Sequence, residues 1–284
     1  MAIVGSSVVV GKVLVARVPV FLIGGLRFAL ASVILLGLVV ALERRLPRLG
    51  ARDLAVLVLQ ALTGIFAFNV LLLFGLRLTS AAEGGIVTST TPAVAAALAA
   101  LVLRERWTAR RTAAVVLAVL GVLTLNVATA GPPGARGPAP VLGDVLVFGA
   151  VLGEAVFLVC SRVVSQRQSP LVVATGISVL GLAMFAPFAL WEARGFDFGA
   201  LGARDWLALA YYGVAVTVVA FLLWAHGVAR VEAGTAAVFT GVLPVSALAL
   251  AYVLLGEPFA WAHVGGAACV LAALALLAGG APRR

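Results

Sequence analysis

The sequence predicts an all-α integral membrane protein with ten transmembrane helices, arranged as two inverted five-helix repeats. Three observations carry that reading. Only 11% of the 284 residues are charged and 63% are hydrophobic, against about 25% charged in an ordinary soluble domain. No polar shell large enough to enclose a water-soluble core can be built from such a chain. Charged or Pro/Gly-rich breaks divide it into ten apolar stretches. Finally, two stretches match at a fixed offset of 152 residues: Arg52-Asp53 recurs as Arg204-Asp205, Pro92 as Pro244 and Glu105 as Glu257. Between these marks Gly75 pairs with Gly227, Ala81 with Ala233, Thr88 with Thr240 and Leu103 with Leu255. An internal repeat on an apolar background is a mark of many secondary transporters, whose sites lie where the repeats meet.

The apolar segments run near 1–16, 19–42, 53–76, 81–103, 109–128, 143–164, 170–191, 205–229, 233–255 and 260–280. Most hold about 20 residues, the length of a helix crossing a hydrocarbon layer ~30 Å thick. Helices are required because lipid offers no partner to unpaired backbone groups. The period-2 alternation of a barrel does not occur. The first segment is short and has no flank before Met1; it lacks a charged n-region and a cleavage motif, so no signal peptide is expected. The domains expected are a first five-helix repeat over 1–128, a Gly/Pro-rich external linker over 129–142 and a second repeat over 143–284. Gly131-Pro132-Pro133-Gly134 marks the linker as irregular.

Arginine placement sets direction. Arg44, Arg45, Arg48, Arg52, Arg104, Arg106, Arg110, Arg111, Arg162, Arg167, Arg230, Arg283 and Arg284 fall on one side; Arg17, Arg77, Arg136, Arg194, Arg204 and Lys12 fall on the other. The positive-inside rule then places both termini in the cytoplasm of a cell-membrane protein. Five helices per half is an odd number, so the halves cross in opposite directions. The loop at 104–111 carries four arginines and its mate at 256–263 none, as expected if the two copies face opposite sides.

The net charge of +9 does not imply nucleic acid, because the arginines sit between apolar runs rather than on one amphipathic face. Cys160 and Cys269 lie inside apolar segments, so neither a disulfide nor a metal site is expected. No cofactor is implied.

Glu154 lies ten residues after Asp144, about 15 Å along the sixth helix. A carboxylate at that depth costs a few kcal/mol, and Gly149 and Gly153 let a neighbouring helix approach beside it. It reads as a proton-titrating or cation-binding group, against a packing role as a protonated acid. Arg27 lies eight residues into the second helix, where it can pair with Glu154, attract an anionic substrate group or act as an anchor. Pro92 and Pro244 interrupt the fourth and ninth helices, each freeing the carbonyl four residues earlier, those of Thr88 and Thr240. Ser89, Thr90 and Thr91 make the first break polar; the expectation is a hinge or cavity lining, against hydroxyls that cap the kinks. Gln60, Thr63 and Asn69 on the third helix and Tyr211, Tyr212, Thr217, Trp224 and His226 on the eighth suit an amphiphilic organic substrate. Trp224 and His226 also fit an interface belt. Glu83, Glu232, Asp53 and Asp205 stand at helix starts as caps or dipole partners, and Glu105 and Glu257 read as structural marks of the repeat.

These residues together resemble the EamA-type drug/metabolite transporters across essentially the whole chain. Val4-Gly5-Ser6-Ser7 followed by Lys12 is similar to that family's first helix, with Val4 where an aromatic residue is usual, and Pro19 with Leu26-Arg27-Phe28 is similar to its second. Thr91-Pro92 through Leu103-Arg104-Glu105 resembles the fourth helix ending in Leu-Gly-Glu, with Arg104 in place of Gly; Leu243-Pro244 through Leu255-Gly256-Glu257 is the closer copy. Glu154-Ala155 stands where an aromatic-Ala pair is usual.

The resemblance implies a ten-helix inverted repeat around a central cavity that exports small molecules such as amino acids, metabolites or drugs by alternating access. Protons are the candidate coupling ion. The expected partners are a small-molecule substrate and the lipid bilayer, with a homodimer open. An importer runs on the same architecture. A membrane enzyme acting on lipid-linked substrates would need clustered acids or histidines, and here they are scattered. ATP-driven transport lacks a phosphate-binding loop.

Overall fold

The computed structural model describes residues 1–15, 17–43, 49–78, 87–105, 107–129, 139–250, 253 and 261–278. Residues 130–138 of the expected linker, the cap at Glu83, the repeat mark at Glu257 and Arg44, Arg45, Arg48, Arg106, Arg136, Arg283 and Arg284 lie outside these residues, and the linker's last three residues, 140–142, are helical. The described chain is helical throughout, with no strand. In order the elements are α1 (Ala2–Val15), α2 (Val20–Glu43), α3 (Ala51–Ala61), α4 (Phe68–Leu78), α5 (Thr91–Leu103), α6 (Ala109–Thr129), α7 (Pro140–Ser165), α8 (Pro170–Ala193), α9 (Ala203–Tyr211), α10 (Ala220–Val228), α11 (Ala233–Phe239), α12 (Val242–Leu250) and α13 (Trp261–Ala278). A π-helical stretch, Leu62–Ala67, joins α3 to α4, and another, Tyr212–Val219, joins α9 to α10.

Five of the described helical runs are long and apolar enough to cross a membrane: Val20–Glu43, Ala51–Leu72, Pro140–Ser165, Pro170–Ala193 and Ala203–Val228. Thr91–Leu103 and Val264–Leu276 are apolar but shorter. The protein is therefore a multi-pass helical membrane protein. Helix starts follow local rules. Ser169 caps α8 by accepting the Val172 N–H at 3.2 Å, with Pro170 in the first turn. Asp205 accepts the Gly202 N–H at 3.0 Å and opens α9.

The chain divides into two compact units. One comprises Met1–Leu62 and Cys160–Arg230, the other Thr63–Val159 and Val231–Arg284. Each therefore draws sequence from both sides of the expected linker.

In the first unit α2 and α8 run antiparallel at close range. A Cβ on Gly24 would stand 2.6 Å from the Phe185 ring, one on Gly25 would collide with Ala189, and one on Gly181 would stand 3.1 Å from Phe28. Small residues suit this seam, because helices in lipid associate through close packing rather than expulsion of water. Ala31, Leu35, Ala174 and Val218 fill the seam further along. The ends are tied reciprocally. Glu43, the last residue of α2, accepts the Ser169 hydroxyl at the start of α8 at 2.6 Å, and Glu192, near the end of α8, accepts the Leu22 N–H at the start of α2 at 2.7 Å. Each carboxylate thus meets the partial positive charge of the other helix's N-terminus.

In the second unit α6 packs on α13, where a Cβ on Gly121 would stand 2.7 Å from the Gly266 carbonyl oxygen. Ala96, Ala114, Ala118, Val238 and Ala273 form the core around them. At one end Arg111, only 4% exposed, pairs with Glu105 at 3.2 Å and with Glu232. Glu105 also accepts the Ala233 N–H at 2.7 Å, so it caps α11. Glu232, expected as that cap, makes no side-chain cap bond and holds Arg111 instead. Glu105, read from the sequence only as a repeat mark, is thus a structural keystone of this unit.

Candidate functional site: buried polar groups in membrane helices

Of the residues singled out from the sequence, Arg27, Gln60 and Trp224 lie in the first unit. Glu154, Asn69, Thr88, Thr91, Thr240, Pro92 and Pro244 lie in the second.

The first unit brings Gln60 and Trp224 onto one atom. The Gln60 amide Nε2 donates to the Ser161 hydroxyl at 2.6 Å, and Trp224 Nε1 donates to the same oxygen at 3.2 Å. Gln60 is fully buried, Ser161 is buried, and Gln60 Oε1 has no hydrogen-bond partner. An unpaired buried amide oxygen forfeits about 1–3 kcal/mol, so this cluster holds an unspent acceptor inside a membrane helix. Trp224 is thereby a cluster member as well as a residue near a helix end. Ser161 was not singled out from the sequence, where one serine between Cys160 and Arg162 carries no pattern; only the fold shows that two helices converge on it.

Arg27 makes a different set of contacts in the same unit. Its guanidinium carbon lies 4.4 Å from the Phe28 ring centroid and 5.1 Å from that of Tyr212. Within this unit its side chain also bonds that of Tyr212. Helix α1 seats the tyrosines: the Tyr212 hydroxyl is 3.3 Å from where a Gly11 Cβ would be, and Tyr211 and Ser6 share a hydrogen bond of 2.6 Å.

Asp205 acts as a cap, while Asp53 stands in the first turn of α3 without a cap bond, and both are tied across the unit. Asp205 pairs with Arg17 at 3.2 Å, while Asp53 accepts from Gln168 at 2.6 Å and from Arg167 at 3.5 Å.

In the second unit, Glu154 sits on α7 between two close approaches. A Cβ on Gly153 would stand 2.6 Å from the Thr63 carbonyl oxygen, and one on Gly149 would stand 3.3 Å from Leu71. The glycines therefore admit the run from the π-helical stretch into α4, as the sequence suggested. Among the described residues no hydrogen bond or ion pair reaches the Glu154 carboxylate. Asn69 donates to the Ile65 carbonyl at 2.5 Å, four residues back.

The proline breaks are real, but their carbonyls are not left over. Helix α5 starts anew at Thr91 with Pro92 in its first turn, and the Thr91 hydroxyl donates to the Thr88 carbonyl at 2.8 Å. At the second break α11 ends at Phe239 and α12 starts at Val242; the Leu243 N–H takes the Thr240 carbonyl at 3.0 Å, and the Thr240 hydroxyl donates to Ala237 at 2.6 Å. Local capping satisfies the groups that proline frees.

The two π-helical stretches carry no compositional signal, yet they correspond. Leu62–Ala67 moved by the repeat offset becomes 214–219, inside Tyr212–Val219. Such stretches widen the backbone ladder and are frequent at functional sites. Thr217 bonds the Tyr212 carbonyl five residues back at 2.9 Å, in step with the widened ladder.

Comparison with known proteins adds four findings. The profile of the EamA-like transporter family matches residues 1–127 and 141–279. An uncharacterized transporter, YetK, of Bacillus subtilis is 45% identical over 271 residues, covering 95% of this chain and 82% of that protein. A probable terminal-alkyne amino-acid exporter of Streptantibioticus cattleyicolor is 29% identical over 242 residues, covering 85% of this chain and 78% of its own length. A crystal structure matches with a TM-score of 0.80 at 22% identity, covering 99% of this chain and 95% of that one, which extends the likeness of fold to the whole length.

Proposed function

This chain belongs to the EamA-like transporter family, and we propose that it exports small organic molecules by secondary, proton-coupled transport. Ten helices in two inverted repeats would alternate access to a central site, with both termini in the cytoplasm of a cell-membrane protein. Support for the inverted arrangement comes from the family match in two segments, the corresponding π-helical stretches and the reciprocal capping of α2 and α8. Support for export comes from the relative whose name says that it exports amino acids.

The observation that carries the coupling role is Glu154. It is a carboxylate inside an apolar helix, packed between glycine contacts and bonded to no described residue. A group kept there at a cost of a few kcal/mol, with no bond to a described residue to justify it, is suited to exchanging a proton during each cycle. Gln60, Ser161 and Trp224 supply hydrogen-bonding and aromatic surface of the kind an amphiphilic cargo requires.

The test is a growth-inhibition panel of amino acids, their analogues and toxic amphiphiles, with cells making wild-type protein or Glu154→Gln at matched membrane levels. Wild type should confer resistance to one chemical class, and Glu154→Gln should lose the pH-dependent part of that resistance. Hypersensitivity in wild type would overturn export; unchanged resistance and pH dependence in the variant would remove Glu154 from the mechanism.

A further inference from the structure

The first unit contains five carboxylates, and each is engaged elsewhere. Glu43 holds the Ser169 hydroxyl, Asp53 holds Gln168 and Arg167, Glu192 holds the Leu22 N–H, Asp197 holds the Gly199 N–H, and Asp205 holds Arg17 and the Gly202 N–H. Four other basic side chains of the unit have described oxygen partners. Arg17 and Arg167 meet carboxylates, Arg162 donates to the Val228 and Ala229 carbonyls, and Arg230 donates to the His226 carbonyl. Arg27 meets none of the unit's carboxylates: its described polar partner is the Tyr212 side chain, it lies over the rings of Phe28 and Tyr212, and its Nε is buried without a partner.

Arg27 lies about 10 Å along α2 from Val20 at 1.5 Å per residue, inside the span Val20–Glu43. Two ring contacts supply about 0.5–2 kcal/mol each. Leaving a desolvated charge without a counter-ion costs several kcal/mol, so the rings orient the guanidinium without neutralising it. Beyond the bond to Tyr212, the unpartnered Nε–H leaves donor capacity in the planar fork for a ligand. Such a fork matches paired oxygens on one atom. Tyr212 is held by α1 at Gly11 and begins the π-helical stretch, so the receptor is fixed by three elements of one unit.

We propose that Arg27 is a seat for an oxyanion, a carboxylate or phosphate group, gripped at the guanidinium edge while Phe28 and Tyr212 hold the side chain in place. Where the occupant is cargo, the proposal rests on the transporter reading and narrows the cargo to molecules with an anionic end. A lipid headgroup is the other source of the same chemistry.

The test uses the full chain in phosphatidylcholine nanodiscs. Thermal stabilisation is titrated with phenylalanine and methionine and with their primary amides, phenylalaninamide and methioninamide, which lack the anion. The expected result is stabilisation by the acids and none by the amides. Apparent affinity should fall about tenfold or more in Arg27→Lys, which keeps the charge and loses the fork, and be lost in Arg27→Gln. Arg27→Lys carries the test should Arg27→Gln fail to fold.

Stabilisation only by added phosphatidylglycerol, lost in the same variants, would support the seat and assign it to a headgroup. Wild type answering neither anion, or variants answering both as wild type does, would overturn it. Export measured alongside separates the two readings. Unchanged preference for acid over amide in the variants removes the seat and leaves the transporter. Binding that depends on Arg27 without export of any acid does the reverse.

Discussion

Arg104 closes α5 in the left-handed backbone conformation, at φ 54° and ψ 35°, and is the one non-glycine residue so placed among those described. That state crowds the Cβ of any L-residue against its own backbone and costs about 1 kcal/mol relative to glycine. The family's pattern has glycine at this position, and the geometry gives the physical reason. Arg104→Gly should therefore stabilise the protein by about 1 kcal/mol, read as a higher melting temperature in detergent, with export unaltered; a lower melting temperature would mean that the arginine has a contact worth more than the strain. At this scale residue types were legible but partners were not. Glu105 could be found from the repeat, yet its bonds to Ala233 and Arg111 span 128 and 6 positions of sequence and follow only from packing. Ser161 was invisible because a single hydroxyl in an apolar run has many uses, and Gln60 and Trp224 meet it from 101 and 63 residues away.

Elements were more legible, because span length and hydropathy answer to membrane thickness. The second, seventh and eighth predicted segments, 19–42, 170–191 and 205–229, fall on Val20–Glu43, Pro170–Ala193 and Ala203–Val228 within a few residues. The hydrogen-bond step inside a helix is another matter: Leu62–Ala67 is as apolar as its flanks, so nothing in its composition separates a π-helical stretch from an ordinary one. What the sequence does disclose is where helices touch, through glycine. Gly153 faces the Thr63 carbonyl, whereas Gly37 in α2 has nothing within 4 Å of a built Cβ. Gly153→Ala must push backbone against backbone and should cost about 1–3 kcal/mol. Gly37→Ala should stabilise by up to about 1 kcal/mol through helix propensity alone. Melting of the two variants side by side checks this, and equal effects would remove the claim that α7 is seated on the Thr63 backbone.

At the scale of the whole molecule, the contacts of the first unit come in exchanged pairs. Gly11 approaches Tyr212, and Ser161, 150 positions after Gly11, bonds Gln60, 152 before Tyr212. Arg17 pairs with Asp205, and Gln168, 151 after Arg17, bonds Asp53, 152 before Asp205. The ends of α2 and α8 cap each other in the same fashion. Swapping the two sequence halves thus carries these contacts onto one another, the relation expected of repeats exchanged by a two-fold axis lying in the membrane plane. Such an axis reverses direction across the bilayer, so the proposed ten crossings, five per half, would put both chain ends on one side and the Gly/Pro-rich linker on the other. The positive-inside rule, applied to the arginines, makes the cytoplasm the proposed side for the ends. Cysteines introduced singly as Ala135→Cys and Pro282→Cys, in a Cys160→Ala, Cys269→Ala background, make the expectation measurable with a membrane-impermeant maleimide on intact cells. The first should label at once and the second only after permeabilisation. Labelling of both would give the halves an unequal number of crossings, and labelling of Pro282→Cys alone would invert the protein. Either result would end the ten-helix, cytoplasmic-termini topology while leaving the contacts of each unit as they stand.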